Sequence, residues 1–145
     1  MENTMTTQEV LFIDESYVKV SHIPEYELIK AVWNGQINSE KYRGTYSRIL
    51  DYQRDNKLPI TNYMVDMRNQ GVVNPNDRKW FETVAMPTAI KQGLKHAAVV
   101  TDANVFKKYY LNLILKAMNK FGVPMKLFGT EEEAISWFES FKEQK

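Results

Sequence analysis

HAAVVTDANVFKKYYLNLILKAMNKFGVPMKLF, residues 96–128, holds two strand patterns and one helix pattern in a fixed order. His96 to Thr101 is a run of small and β-branched residues without polar alternation, as in a strand buried on both faces. Asp102 or Asn104 can cap a helix that begins near Val105. Phe106, Tyr110, Leu113, Ile114, Ala117 and Phe121 then recur at three- and four-residue spacing, which predicts the apolar stripe of a helix, and Gly122 and Pro124 stop it. Met125 to Phe128 is a second strand. Strands joined by a helix of this length run parallel, through a right-handed crossover.

The alternation extends both ways. Downstream, Thr130 and Glu133 form a capping box, and Ala134, Trp137, Phe138 and Phe141 share the inner side of a last helix. Glu131, Glu132 and Glu133 sit in its first turn, where negative charge suits the helix dipole. Upstream, Tyr63 to Asp66 is a short strand, and Asn74 followed by Pro75 starts a helix with Trp80, Phe81 and Val84 facing the core. Pro87 interrupts that helix and Gly93 ends its continuation.

Earlier still, Leu28, Lys30 and Val32 alternate with Ile29, Ala31 and Trp33, which predicts a strand with one wetter face ended by Asn34 and Gly35. Asn38 caps a helix reaching about Arg54, with Tyr42, Tyr46, Ile49 and Leu50 as its stripe and Ile37 stapled onto Tyr42. Val10 to Ile13 and Tyr17 to Val20 form a hairpin around Asp14, Glu15 and Ser16. The expected order is β-β-β-α-β-α-β-α-β-α, an α/β domain with a mixed sheet.

With 145 residues, the chain is expected to form one domain over residues 10–143 after a flexible tail, residues 1–9. Apolar residues make up 43% and charged residues 26%, a folding composition. Nineteen basic against 18 acidic side chains leave a net charge of +1, so no overall field draws the chain to nucleic acid or an anionic membrane. There are no cysteines, which excludes disulfides and thiolate chemistry and suits a reducing compartment. No signal-peptide pattern and no apolar run of membrane-spanning length is present, so a cytoplasmic protein without stable membrane insertion is expected.

Three stretches carry a family likeness. They are Val32-Trp33-Asn34-Gly35 ahead of a helix with Glu40, Tyr42 and Arg43, then Met64-Val65-Asp66-Met67-Arg68, and Leu127-Phe128 leading through Thr130 to Glu133, Ala134 and Trp137. On these the chain resembles the SpoIIAA-like family of the STAS superfold, a group also similar to the lipid-carrying CRAL-TRIO domains. The resemblance implies a STAS-type fold and a regulatory or ligand-binding role. Anti-sigma-factor antagonists of this superfold are phosphorylated on a serine at the start of the helix after the matching strand. Asp66 to Asn74 contains neither Ser nor Thr, so that switch is not expected here.

No phosphate loop, nucleophile elbow or cluster of metal ligands is present, so neither an enzyme nor a cofactor is expected. His22 and His96 are far apart in sequence and read as structural imidazoles. The candidate site is the carboxyl edge of the parallel strands, with Asp66, Arg68, Asn69, Thr101 and Asp102. Arg78 is expected to face water, Trp80 to be core, and Lys107 and Lys108 to form a solvated pair. Tyr42, Tyr46, Tyr52, Tyr109 and Tyr110 read either as a binding surface or as a Tyr-rich core. The expected function is a non-enzymatic module that engages a protein partner or a small apolar or anionic ligand. The alternative is a carrier of a lipidic or other apolar ligand, and homo-oligomerisation is compatible with either.

Overall fold

The structure, a computed structural model, describes residues 8–102 and 105–142. Six strands form one sheet in sequence order: β1 (Val10–Asp14), β2 (Val18–Ile23), β3 (Leu28–Gly35), β4 (Asn62–Gln70), β5 (His96–Val100) and β6 (Met125–Phe128). β1, β2 and β3 pair antiparallel, and β3 to β6 pair parallel. The helices are α1 (Ser39–Asn56), α2 (Pro75–Trp80), α3 (Met86–Lys91), α4 (Val105–Lys120) and α5 (Glu131–Lys142). This is the mixed sheet with an antiparallel edge that the element order predicts.

Alternating side chains give the sheet two unlike faces. On one, Ile29, Ala31 and Trp33 of β3 and Val65 and Met67 of β4 pack with Tyr42, Tyr46 and Ile49 of α1, Met86 of α3, and Leu111, Ile114 and Met118 of α4. On the other, Leu28, Met64, Ala98 and Val100 pack beneath Ala134 and Phe138 of α5. Lys30 belongs to this second face, the wetter one that the alternation predicts.

The caps form where their residue types require. The Asn38 side-chain oxygen accepts from the Lys41 N–H at 2.8 Å, and that of Asn74 from the Asn76 N–H at 2.8 Å. Tyr42 and Tyr46 are core residues, with ring centroids 5.5 and 5.8 Å from the fully buried Trp33. Tyr52 stacks on Phe12 at 3.7 Å. Tyr109 is 69% exposed, and the Tyr110 side chain lies outside the described residues.

Two helix faces differ from the expectation. Between α2 and α3 the chain makes one π-helical turn, Phe81–Ala85, in which the Met86 N–H donates to the Phe81 carbonyl. Pro87 cannot donate to the carbonyl of Thr83 and its ring crowds it; the wider turn accommodates both, and the helix passes the proline before ending at Gly93, φ +116°. The extra residue rotates the stripe, so Ala85 and Met86 are buried while Val84 is 46% exposed. On α4 the buried row is Leu111, Ile114 and Met118; Leu113 is half-buried and Phe121 is 46% exposed. The side chains of Phe106 and Lys107 lie outside the described residues.

Candidate functional site

β4 runs beyond β5. Its pairing with β5 stops at Asp66 opposite Val100, whereas its pairing with β3 continues to Gln70 opposite Gly35. Arg68 and Asn69 are therefore strand residues, not loop residues beyond the strand. A crevice of about 610 Å³ opens beside this projecting end, between α2, the first half of α4 and the loop after β4. Gly71 shapes its wall: a Cβ there would stand 2.2 Å from the Gln36 Oε1, while the Gln36 Nε2 donates to the Val72 carbonyl at 2.8 Å.

Arg68, Asn69 and Asp102 line the crevice. Asp66 lies beside Arg68 and is only 3% exposed. Thr101 is buried, and its N–H donates to the Phe128 carbonyl at 2.9 Å, which ties it to the β6 side and away from the lining. Asn104 lies outside the described residues. Arg78, expected in water, is half-buried and lines the crevice. Trp80 is half-buried beneath the Arg43 guanidinium, 5.5 Å from its centroid, and Arg43 in turn donates to the buried Asp77 at 2.9 Å.

Asp66 and Arg68 are two residues apart on one strand, so their side chains share a face. The Arg68 Nε and Nη2 donate to the two Asp66 carboxylate oxygens at 3.0 and 2.6 Å, and the Arg68 backbone N–H adds a third bond at 3.2 Å. Burial pushes the Asp66 carboxyl up, but the bonds from Arg68 and Glu131 reverse this and hold it below its ordinary value. The fork orients the guanidinium, which keeps 39% of its side chain exposed.

The pair continues into a charged strip on the α5 face. Glu131, in the first turn of α5, lies 3.8 Å from Arg68 and 3.2 Å from Lys30; Lys30 reaches Glu9 at 3.2 Å, and Glu9 accepts from the Ser21 hydroxyl at 2.6 Å. Burial, with the Asp66 carboxyl bonded to it, raises the Glu131 carboxyl above its ordinary value. The Glu131 to Glu133 run thus does more than complement a helix dipole. Glu131 and Lys30, which the sequence reading missed, adjoin the site through Arg68; the polar Lys30 within an apolar strand was a signal for that residue alone.

The remaining candidates are structural in their contacts. The Asn62 side-chain carbonyl accepts from the His96 Nδ1–H across 3.0 Å, and the His96 ring stacks on Phe141 at 3.7 Å. His22 lies edge-on to Tyr52 at 6.1 Å. Among the described residues no group of three or more His, Cys, Asp or Glu is placed to hold a metal, and no helix is long and apolar enough to cross a membrane. A separate apolar cavity of about 80 Å³ lies in the core, where Tyr46, Tyr63, Met86 and Met118 are among its walls. It is about half the ~150 Å³ that admits a benzene-sized guest, so an acyl chain would have to open the core.

A model of the SpoIIAA-like family matches residues 28–139, from β3 into α5. The chain belongs to the SpoIIAA-like family. Its fold is similar to that of an uncharacterized DUF3478-family protein with a SpoIIAA-like fold from Shewanella loihica PV-4, with a TM-score of 0.55 and 12% identity over 95% of this chain and 98% of that one. At that identity the likeness is one of fold. No curated protein matches the chain. Family membership covers β4 with the Asp66-Arg68 pair and the start of α5, but it assigns neither a role.

Proposed function

We propose that this SpoIIAA-like chain is a non-enzymatic interaction module that engages a partner or small ligand through the crevice at the carboxyl end of β4. The observation that carries the reading is the Arg68 guanidinium, locked in place by a nearly inaccessible Asp66 carboxylate and still 39% exposed beside a crevice of about 610 Å³. A guanidinium held in this way gives up little further freedom when a ligand oxygen approaches its exposed part, which favours carboxylate, phosphate or carbonyl groups. The volume falls within the range of small-molecule sites.

The test is native mass spectrometry of the full chain purified from its own host, beside Arg68→Lys and Asp66→Asn variants with matched thermal melts. The parent should retain a small molecule or a partner that Arg68→Lys loses, because an ammonium cannot reproduce the fork, and Asp66→Asn should retain it in part. Equal retention by all three proteins would remove the site from this edge.

A further inference from the structure

We propose that the crevice takes an amphipathic anion, a small molecule with one carboxylate-like head and an apolar body. This rests on the ligand-binding reading above and names the class of ligand. The charged lining selects the head group. Arg68 and Arg78 are among the residues that line the crevice, with Asp102 as the acidic residue of the lining. Arg68 shares its charge with Asp66, so it serves as an oriented donor. The Arg78 Nε is ion-paired with the Glu82 carboxylate across 4.0 Å, longer than a hydrogen bond, and a pair this loose is one that an incoming anion can compete with.

The exposed apolar side chains select the body. Val72 is 71% and Tyr109 is 69% exposed, the two greatest exposures among the large hydrophobic side chains described. They come from different elements, the loop after β4 and α4, yet both line this crevice, together with Met67, Val73 and Pro75. Apolar surface gathered at one polar-headed crevice is surface that a hydrocarbon body would remove from water, at roughly 25 cal/mol per Å². An inorganic anion would fill a small part of about 610 Å³ and leave these side chains wet, whereas the core cavity of about 80 Å³ is too small to hold such a body.

Protein NMR on the full chain, titrated separately with octanoate, acetate and 1-octanol, tests this. Octanoate should give saturable shifts at the amides of Arg68 to Val73 and near Tyr109. Acetate should act at the same place at least about tenfold more weakly, since it lacks the apolar body. Octanol should leave those amides unmoved. Arg78→Gln, Val72→Ser and Tyr109→Ser should each weaken octanoate by about fivefold or more, and the last two should fold normally because both side chains stand in solvent. Equal binding of acetate and octanoate, indifferent to Val72→Ser and Tyr109→Ser, would overturn the ligand class and leave the Arg68 reading standing. Octanoate shifts around Met86 and Met118 in the core, with none at Arg68 to Val73, would overturn the assignment of this ligand class to the crevice. Absence of a saturable octanoate shift would overturn the ligand class, while the Arg68 reading is decided by the retention experiment.

Discussion

Two polar clusters lie beneath α5, one at each end of β4, and they differ in where their hydrogen bonds end. At the amino end, the Asn62 side chain donates to the Tyr26 carbonyl at 2.7 Å and accepts from His96 at 3.0 Å, while the His96 ring is stacked on Phe141 and lies edge-on to Trp137. Both polar atoms of that amide are satisfied inside the fold. At the carboxyl end, Asp66 is as well buried as Asn62, but its partner Arg68 reaches a crevice and is 39% exposed. Burial of a polar group therefore does not distinguish a brace from a binding group; the course of its partner does.

The largest expected effect falls on both clusters at once. Phe138 is 1% exposed and packs with Met64, Ala98 and Val100 between them, so Phe138→Ala should destabilise the chain by about 3–5 kcal/mol in urea denaturation. A loss below that of Asn62→Ala would mean that polar contacts, not apolar packing, hold α5. Next, Asn62→Ala should cost about 1–3 kcal/mol, because the Tyr26 carbonyl and the imidazole lose a partner, and octanoate binding should be unchanged. Asp66→Asn should act in the opposite sense, with binding affected more than stability. If the two variants changed both properties alike, the contrast between brace and binding group would be lost.

The smallest effect concerns pH. Burial and the neighbouring Lys95 charge lower the pKa of His96, and burial lowers that of His22. A histidine with a lowered folded value binds protons more readily when unfolded, so its contribution is complete above about 6.5 and is lost as pH falls through the folded value. Melting temperature should fall between about pH 7.5 and 5.5, and His96→Gln should remove part of the slope, leaving the part due to His22. A slope unchanged in His96→Gln would assign it elsewhere. At the other end of β4 the signs oppose. The Asp66 contribution is present above about 4 and lost on acidification, while that of Glu131, whose value is raised, is present at low pH and lost as pH rises. In the parent chain Glu131 offsets part of the acid loss as pH falls toward about 4.5, so Glu131→Gln should steepen the loss of stability on acidification above about pH 4.5 and leave the slope below it to Asp66.

Much of the candidate site was legible because strand direction alone directs certain residues to one edge. The helices between the last strands make β4, β5 and β6 parallel, and the carboxyl ends of parallel strands lie together, which brought Asp66, Arg68, Asn69 and Asp102 to one side of the sheet. Thr101 lies on that edge but turns toward β6. Arg78 and Tyr109 were not legible as lining residues, since Arg78 follows the loop after β4, Tyr109 follows α2, α3 and β5, and only packing brings either one beside Arg68. Glu131 and Lys30 are about a hundred positions apart, and only the placement of α5 across the second face joins them.

What the sequence by itself determined was local: element order, the caps at Asn38, Asn74 and Thr130, the stops at Gly93 and Gly122, and the two faces of β3. Those signals act between residues a few positions apart, through backbone hydrogen bonds and steric limits on φ. The tertiary structure decided which of two overlapping stripes on α4 turned inward, Leu111 and Met118 in place of Leu113 and Phe121, and how the π-turn before Pro87 carried Val84 out to solvent. Leu-rich helices offer several faces of nearly equal hydrophobicity, and the choice between them is made by the shape of the sheet they cover.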